Sequence, residues 1–245
     1  MIADMWTVAW KEYKELLSRD GILRGGKFSI LLFLGVFGVF LPWQFGREWG
    51  QSPILLAYWV WVPLLLVTST IADSFAGERE RHTLESLLAT RLSDRAILFG
   101  KFTAAVTYGW GLTMISLLLG LITVNLTHAS GQLFLYPPDI GLAAVTAGLL
   151  ASGLAAGIGI FVSLRAATVK QAQQTLSIAI MMLVLGPVLV MQVLPDEPKS
   201  ELFRTLQDTD LAYVVLLVGV FLAVLDVALV AAAMTRFRRA RLILD

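Results

Sequence analysis

The chain contains no cysteine and few charged residues. The absence of cysteine excludes disulfides, thiolate metal sites, iron–sulfur clusters and cysteine nucleophiles. Charged residues make up 15% of the chain, whereas they make up about 25% of an ordinary soluble domain. The formal net charge is only +1, so the chain has neither a basic surface for nucleic acid nor an acidic tail.

Motifs for catalysis and nucleotide binding are also absent. The sequence contains no HExxH, GxSxG or GxxxxGK[ST] motif, which excludes the familiar metalloprotease, serine hydrolase and P-loop ATPase sites. The two histidines, His82 and His128, fall outside the apolar segments, so paired axial ligands for a membrane haem are missing. We therefore expect no catalytic site, cofactor or metal in this chain.

Hydrophobic residues, by contrast, make up 57% of the chain, and the mean hydropathy is +0.76. A helix needs roughly 20 apolar residues to cross a bilayer core about 30 Å thick. Six segments reach this length, and none alternates like a strand of a membrane barrel. The sequence predicts one all-α transmembrane domain over residues 1–245, with an interfacial segment at 1–27 and spans at 28–46, 53–75, 97–124, 140–164, 172–194 and 211–234.

Lysine and arginine are distributed asymmetrically around these spans. Of the 19 such residues, all except Arg47, Lys199 and Arg204 fall in the two terminal segments, the loops after spans two and four, and the adjoining span ends. Basic residues favour the cytoplasmic side of short loops. We expect a multi-pass protein of the cell's inner, or cytoplasmic, membrane, with both termini in the cytoplasm.

The segment before the first span carries an aromatic stripe. Trp6, Trp10, Tyr13 and Leu17 recur at steps of four, three and four, which places them on one face of a helix. Such a helix suits the bilayer interface, with tryptophans at headgroup depth and contact to membrane lipids. It is either a plain anchor or an elbow helix that transmits motion between the membrane and a cytoplasmic partner.

The loop between spans two and three predicts a short amphipathic helix. Leucines at 84, 87 and 88 form one face, and charged residues surround them. Arg81 and Glu85 are four residues apart and can pair on its surface, and Ser93 can cap the next helix. The leucine face either fills a groove on a partner or packs against the bundle.

The same loop resembles a known family pattern. Gly-Glu-Arg-Glu-Arg-His-Thr-Leu-Glu-Ser-Leu-Leu at 77–88, followed by Ile-Leu-Phe-Gly-Lys at 97–101, resembles the loop E-x-E-x-G-T-L-E-x-L-L and the later G-K of type-2 ATP-binding-cassette (ABC) transporter permeases. The chain departs from that pattern in two places. His82 stands where a glycine is common, and Arg91 stands where a proline often follows.

The resemblance implies a coupling helix that docks on a separate ATP-binding subunit. Its leucines would fill a groove, while the glutamates set register and electrostatic specificity. The complex would be an exporter with two ATP-binding subunits, which hold ATP and Mg²⁺, and a second permease copy, identical or related. The implied docking residues are Glu78, Arg81, Thr83, Leu84, Glu85, Leu87 and Leu88.

Two acidic residues are candidates for a translocation path or subunit interface. Asp226 lies about ten residues, or about 15 Å, before the basic end of span six, close to the bilayer midplane. A carboxylate there is costly unless it is protonated, paired or hydrated. Asp226 is either a neutral acid hydrogen-bonded to a neighbouring span or a residue of a cavity or interface. Asp73 ends span two, and there the resemblance allows a hinge or docking role.

Two other function classes fit the same composition. An ion-gradient-driven secondary transporter or channel would use Asp226 as its proton or cation site, but it leaves the 78–88 helix without a purpose. A scaffold for another membrane complex would tolerate the loss of Asp226 but not of its interface surfaces.

Overall fold

All regular secondary structure in the described part of the chain is helical. A computed structural model describes residues 1–18, 26–52, 56–128, 132–195 and 211–237, and no strand occurs in these ranges. The prediction of an all-α protein is therefore confirmed for these residues. The helices are α1 (Ile2–Ser18), α2 (Gly26–Leu34), α3 (Leu41–Phe45), α4 (Glu48–Gln51), α5 (Leu56–Glu80), α6 (Leu84–Leu88), α7 (Asp94–Thr127), α8 (Pro138–Arg165), α9 (Val169–Val193) and α10 (Leu211–Arg236).

A helix occupies each of the six segments predicted to span the membrane. Four stretches are long and apolar enough to cross a bilayer: Trp59–Glu80, Asp94–Thr127, Pro138–Arg165 and Val215–Thr235. Ile30–Phe45 is a shorter apolar helix. Large apolar side chains remain exposed along these helices, for example Leu118, Phe221 and Val224, which fits a lipid-facing surface. The chain is a multi-pass membrane protein.

A π-helical segment, Gly35–Phe40, joins α2 to α3 directly before Pro42. Proline lacks a backbone N–H and disrupts the regular ladder of an α-helix, and wider π turns are one way to absorb the disruption. Thr123 of α7 donates a hydrogen bond to the backbone oxygen of Gly38 over 3.1 Å. The distorted segment is therefore held against α7.

Helices α5 and α8 form the centre of the bundle. A Cβ atom at Gly159 of α8 would overlap the side chain of Ile71 in α5, so glycine allows the two backbones to approach closely. Nearby, the hydroxyl of Ser163 accepts hydrogen bonds from the backbone N–H of Phe75 (3.1 Å) and Ala76 (3.0 Å). Helices α7, α9 and α10 surround this pair, and α1 packs on α7.

Helix boundaries differ modestly from the predictions at the end of the bundle that carries α6. Helix α5 continues to Glu80, five residues beyond the predicted end of span two. Helix α7 begins at Asp94, and the side chain of Ser93 accepts a hydrogen bond from the N–H of Ala96 over 3.2 Å. The predicted cap at Ser93 is confirmed. Since α5 and α7 extend past the predicted apolar segments, α6 lies at the end of the bundle, between these two extensions.

Candidate functional site

Helix α6 is separated from α5 by a turn that ends α5. The N–H of Thr83 donates to the carbonyl of Glu78 over 2.8 Å, and the N–H of His82 donates to that of Arg79 over 3.0 Å. This pair of bonds defines a Schellman motif, whose turning residue adopts a left-handed conformation. His82 has a φ of 56°. Glycine adopts this conformation most easily. This is a physical reason for the glycine that is common at the position of His82 in the loop pattern described above.

Next to this turn lies a cluster of four charged side chains from three helices, two of them buried. Glu78 of α5 accepts hydrogen bonds at Oε1 from Lys11 of α1 (2.6 Å) and lies 3.0 Å from the Nζ of Lys101 in α7. Lys101 also donates to Glu12 of α1 and to the carbonyl of Ser74, both over 2.7 Å. We call Lys11, Glu12, Glu78 and Lys101 the ion cluster. It joins α1, α5 and α7 at one point.

The members of the ion cluster differ in exposure. Lys101 and Glu78 are each only 2% exposed, whereas the side chain of Lys11 is 41% exposed and also pairs with Glu15 over 3.2 Å. Burial lowers the pKa of Lys11, but its hydrogen bond to Glu78 and the charges of Glu78, Glu12 and Glu15 outweigh burial, so the net pKa is raised. Lys11 therefore stays charged at neutral pH.

Glu78 was predicted to contact a partner, and the structure corrects that role. Its side chain points into the bundle, where it pairs with two lysines instead of facing outward. Lys101, Lys11 and Glu12 were not predicted as site residues. A lysine inside an otherwise apolar run at 97–109 was the available signal for Lys101, because a buried ammonium group requires a partner.

A second ion pair, between Arg81 and Asp73, lies against Gly77. Arg81 lies 3.2 Å and 3.4 Å from the two carboxylate oxygens of Asp73, a bidentate arrangement. A Cβ atom at Gly77 would overlap the Asp73 carboxylate, so this position needs glycine. The predicted pair of Arg81 with Glu85 is wrong. The left-handed residue His82 ends the helix between them, so the spacing of four no longer places them on one face.

The end of α5 is also tied to α8 and α9. Arg79 donates to the carbonyl oxygens of Ala166 (2.7 Å) and Leu164 (2.9 Å), which end α8. The carboxylate of Glu80 accepts from the N–H of Val169 over 3.0 Å, in the first turn of α9. A cation at a helix C-terminus and an anion at an N-terminus both favour the helix dipoles. These contacts join the end of α5 to the C-terminus of α8 and the N-terminus of α9.

The outward surface of α6 is polar. Arg81, Thr83 and Glu85 are exposed, whereas Leu84 is 6% exposed and belongs to the main apolar core, with Leu87 half-buried against it. Leu84 was predicted to fill a groove on a partner, but it packs in the core of this chain instead. Leu87 is only half-covered by the bundle, and its predicted contact with a partner stays a prediction. The side chain of Leu88 lies outside the described residues.

The aromatic stripe of α1 faces away from the bundle. Trp6 and Trp10 are exposed, whereas Val8 and Ala9 on the opposite face are buried against α7. The contact is close, since a Cβ atom at Gly100 would lie 2.6 Å from the Cβ of Val8. Tyr13, at the edge of the stripe, hydrogen-bonds through its hydroxyl to Thr107 of α7. The side chain of Leu17 lies outside the described part of the chain.

Asp226 lies in the middle of α10, against Gly153 of α8. It lines a cavity of about 450 Å³ between α7, α8 and α10. Its Oδ1 atom is buried without a hydrogen-bond partner among the described residues. The expected hydrogen bond to a neighbouring hydroxyl or amide is not formed there. Asp73, which was grouped with Asp226 as a path or interface candidate, lies instead at the α6 end and pairs with Arg81.

Comparison with known proteins identifies the family. The model of the family described as ABC-2 type transporter matches residues 3–192. The chain belongs to the ABC-2 type transporter family. It is also 28% identical over 163 residues to the ABC transporter permease protein NatB of Bacillus subtilis (strain 168), an alignment that covers 62% of this chain and 42% of that protein. The chain thus spans less than half the length of this relative.

The family match covers both the ion cluster and α6, and it ends near the end of α9. Asp226 lies beyond the matched residues. In the described ranges, no group of three or more His, Asp or Glu side chains is placed to hold a metal ion. The residues gathered at the α6 end form ion pairs and an exposed polar surface.

Proposed function

We propose that this ABC-2 family member is the membrane-spanning permease subunit of an ATP-driven exporter. It forms one transmembrane domain with six spans and both termini in the cytoplasm of the inner membrane. ATP and Mg²⁺ bind a separate cassette subunit, present in two copies, and not this chain. The helices found at all six predicted segments support the topology, and so does the clustering of basic residues on the α6 side.

In this proposal α6 is the coupling helix that docks on the cassette subunit. It lies at the end of the bundle, where Glu85 of α6 and Arg81 and Thr83 of the preceding turn are exposed. Charged residues at the rim of an interface set specificity and association rate. We therefore expect this surface to determine which cassette subunit binds. Leu84 and Leu87 anchor α6 to its own bundle. Glu78 contributes from inside, by fixing the position of the turn.

The observation that carries the proposal is the set of polar contacts that join the C-terminal end of α5, next to α6, to other helices. The ion cluster links α5 to α1 and α7, and Arg79 and Glu80 link α5 to α8 and α9. A push on α6 therefore reaches several spans at once, as rigid-body coupling requires. Asp73 acts in this transmission through Arg81 and does not line the path.

Helix α1 acts as the elbow helix. Trp6 and Trp10 lie at headgroup depth, and the sequence spacing of Tyr13 and Leu17 extends this stripe toward the first predicted span. The buried face of α1 packs on α7, and Lys11 and Glu12 belong to the ion cluster. Because one face contacts lipid and the other joins the cluster, the movement of α6 is coupled to the membrane surface.

The substrate path lies at the face where a second permease copy, identical or related, packs on α5 and α9. A groove of about 570 Å³ runs between these helices, lined by Trp61, Leu65 and Met181 with the polar side chains of Thr68 and Gln173. Leu65 and Met181 are exposed. An exposed apolar groove with a few polar groups suits both association with a second copy and passage of a partly apolar substrate.

The test is affinity purification of the tagged protein from its native host in mild detergent, followed by mass spectrometry. We expect a stoichiometric subunit that contains a GxxxxGK[ST] loop. Glu85→Lys should lower its recovery at least about tenfold, because a reversed charge at an interface costs several kcal/mol. Asp139→Lys is the matched control, since Asp139 is also exposed but lies at the opposite end of α8.

The results separate two claims. Absence of any P-loop subunit from the wild-type sample would contradict the permease proposal. Normal recovery with Glu85→Lys would instead exclude the exposed surface of α6 as the docking site. Leu84→Asp is unsuitable as a docking variant, because Leu84 belongs to the buried core.

An ion-gradient-driven transporter that uses Asp226 is the second candidate, because this acid lines a cavity within the bundle. It predicts substrate movement in liposomes that contain only this chain and an imposed proton gradient. The ATP-driven exporter predicts no such movement without the cassette subunit. This single comparison distinguishes the two functions.

A further inference from the structure

The cavity beside Asp226 combines apolar walls with a single acid. It measures about 450 Å³, within the range of about 300–1,000 Å³ that is typical of small-molecule sites. Phe102, Leu149 and Val230 provide apolar walls, and among the described residues Asp226 is the only acid that lines it. Leu149 and Val227, which also lines it, are exposed at the outside of the bundle, so the cavity is accessible from the surrounding lipid.

The carboxylate is held at a defined place in this cavity. A Cβ atom at Gly153 would lie 2.5 Å from the Oδ2 of Asp226, so the side chain occupies the space that glycine leaves on α8. The Oδ1 atom is buried and has no hydrogen-bond partner in the described structure. An acceptor oxygen in an apolar cavity without a donor is unfavourable. A ligand that supplies the donor would remove this unfavourable term.

Two helices independently place this oxygen near the bilayer midplane. Asp226 precedes the end of α10 at Arg236 by ten residues, and Gly153 precedes the end of α8 at Arg165 by twelve. At 1.5 Å per residue these separations are about 15 and 18 Å, near half of a hydrocarbon core of about 30 Å. No lysine or arginine lines the cavity in the described structure. A cationic ligand would supply the complementary charge that the described lining lacks.

The surroundings favour an organic cation over a metal ion. Inorganic cations such as Ca²⁺ or Mg²⁺ take at least about six oxygen ligands, whereas this cavity offers one carboxylate among apolar side chains. An alkylammonium group needs fewer partners, and Phe99 and Phe102 add aromatic rings that attract cations. Its hydrocarbon body would remain in contact with the apolar walls and the lipid.

We propose that the cavity between α7, α8 and α10 binds lipophilic amines, with the ammonium group on Asp226 and the hydrocarbon body along Leu149, Val227 and Val230. The amine enters sideways from the bilayer. This site is separate from the groove between α5 and α9, and binding requires neither nucleotide nor a cassette subunit. The test is therefore independent of the permease proposal.

The experiment measures binding of radiolabelled dodecylamine to the purified full chain in phosphatidylcholine nanodiscs at pH 7. We expect saturable binding that unlabelled dodecylamine displaces and that dodecanol, with the same chain but no charge, does not. Asp226→Asn should weaken binding at least about tenfold, because it removes the charge that pairs with the ammonium group. Asp139→Asn, which neutralises an exposed acid outside the cavity, should bind like wild type.

A second pair of variants leaves the acid intact. Leu149→Trp should fill the cavity from its exposed edge and weaken binding by a similar factor. Leu142→Trp, at an exposed position two turns earlier on α8, should have no effect. Wild-type affinity in either Asp226→Asn or Leu149→Trp would overturn the proposal. Equal displacement by dodecanol would also overturn it, because the cavity would then recognise only the hydrocarbon chain.

Discussion

Replacing Lys101 with methionine should destabilise the α6 end of the bundle. The ammonium group of Lys101 is buried, contacts Glu12 and Glu78 over 2.7 and 3.0 Å, and donates to the carbonyl of Ser74. Methionine keeps most of the volume but leaves two carboxylates near one another without this cation. Lys11 remains in contact with Glu78, so the cluster loses part of its charge compensation and not all of it.

The size of the effect follows from known buried ion pairs. Removing one partner of such a pair destabilises a protein by about 3–5 kcal/mol. Because Lys11 still compensates the charge of Glu78, we expect a loss near the lower end, about 3 kcal/mol. For a chain of this length, 1 kcal/mol shifts the thermal midpoint by about 2–4 °C. Lys101→Met should therefore lower the midpoint by about 6–12 °C.

The assay is thermal unfolding of the purified chain in detergent, followed by the fluorescence of its 7 tryptophans. Lys170→Met is the matched control, because Lys170 is exposed in the first turn of α9 and surface substitutions usually stay within about 0.5 kcal/mol. The thermal midpoint of the double variant Lys101→Met with Glu78→Gln should fall by less than the sum of the falls in the two single variants, because the two residues interact directly. A midpoint for Lys101→Met within about 2 °C of wild type would refute the reasoning.

Three further predictions concern stability. His82→Gly should raise the thermal midpoint by about 2–4 °C, because a left-handed conformation costs a non-glycine residue about 1 kcal/mol; an unchanged or lower midpoint would argue against strain at this turn. Gly159→Val should destabilise the chain by about 1–3 kcal/mol or more through overlap with Ile71, and Ile71→Ala in the same chain should restore part of the loss. Since the pKa of Lys11 is raised in the folded state, its contribution to stability is complete below its ordinary value of 10.5 and is lost as pH rises through the folded value. The thermal midpoint of wild type should therefore approach that of Lys11→Met as the pH rises through the folded pKa of Lys11. A difference between the two midpoints that stays constant with pH would contradict the linkage.

Helices occupy the predicted apolar segments, and four of the described helices are long and apolar enough to cross a bilayer, because bilayer crossing is a local property. A run of about 20 apolar residues and its flanking charges set the position of a helix with little regard to its neighbours. The cap at Ser93 was predictable for the same reason, since an N-cap depends on a few adjacent residues. Family membership was also accessible from the sequence, because the loop at 77–88 carries a dense local pattern.

The errors concern contacts between segments. Arg81 was expected to pair with Glu85 by helical spacing, but the left-handed turn at His82 directs it to Asp73 instead. Glu78 was assigned to an outer surface because it lies among exposed charges, and the bundle places it beside Lys101, 23 positions away. Sequence spacing predicts such pairs only while one regular helix connects the two residues.

The sequence by itself determined that this chain is a helical membrane protein of the ABC-2 type transporter family, with a polar connection between its second and third apolar segments. Those properties depend on composition, hydrophobic run length and a local motif. Only the tertiary structure decided which face of α6 is exposed, which four charges form the ion cluster, and that Asp226 lies across from Gly153 beside a cavity. Each of these features depends on side chains from different helices. In a buried environment of low dielectric, electrostatic interactions between such side chains are strong, so the residues in spatial contact determine the structure more than the sequence neighbours do.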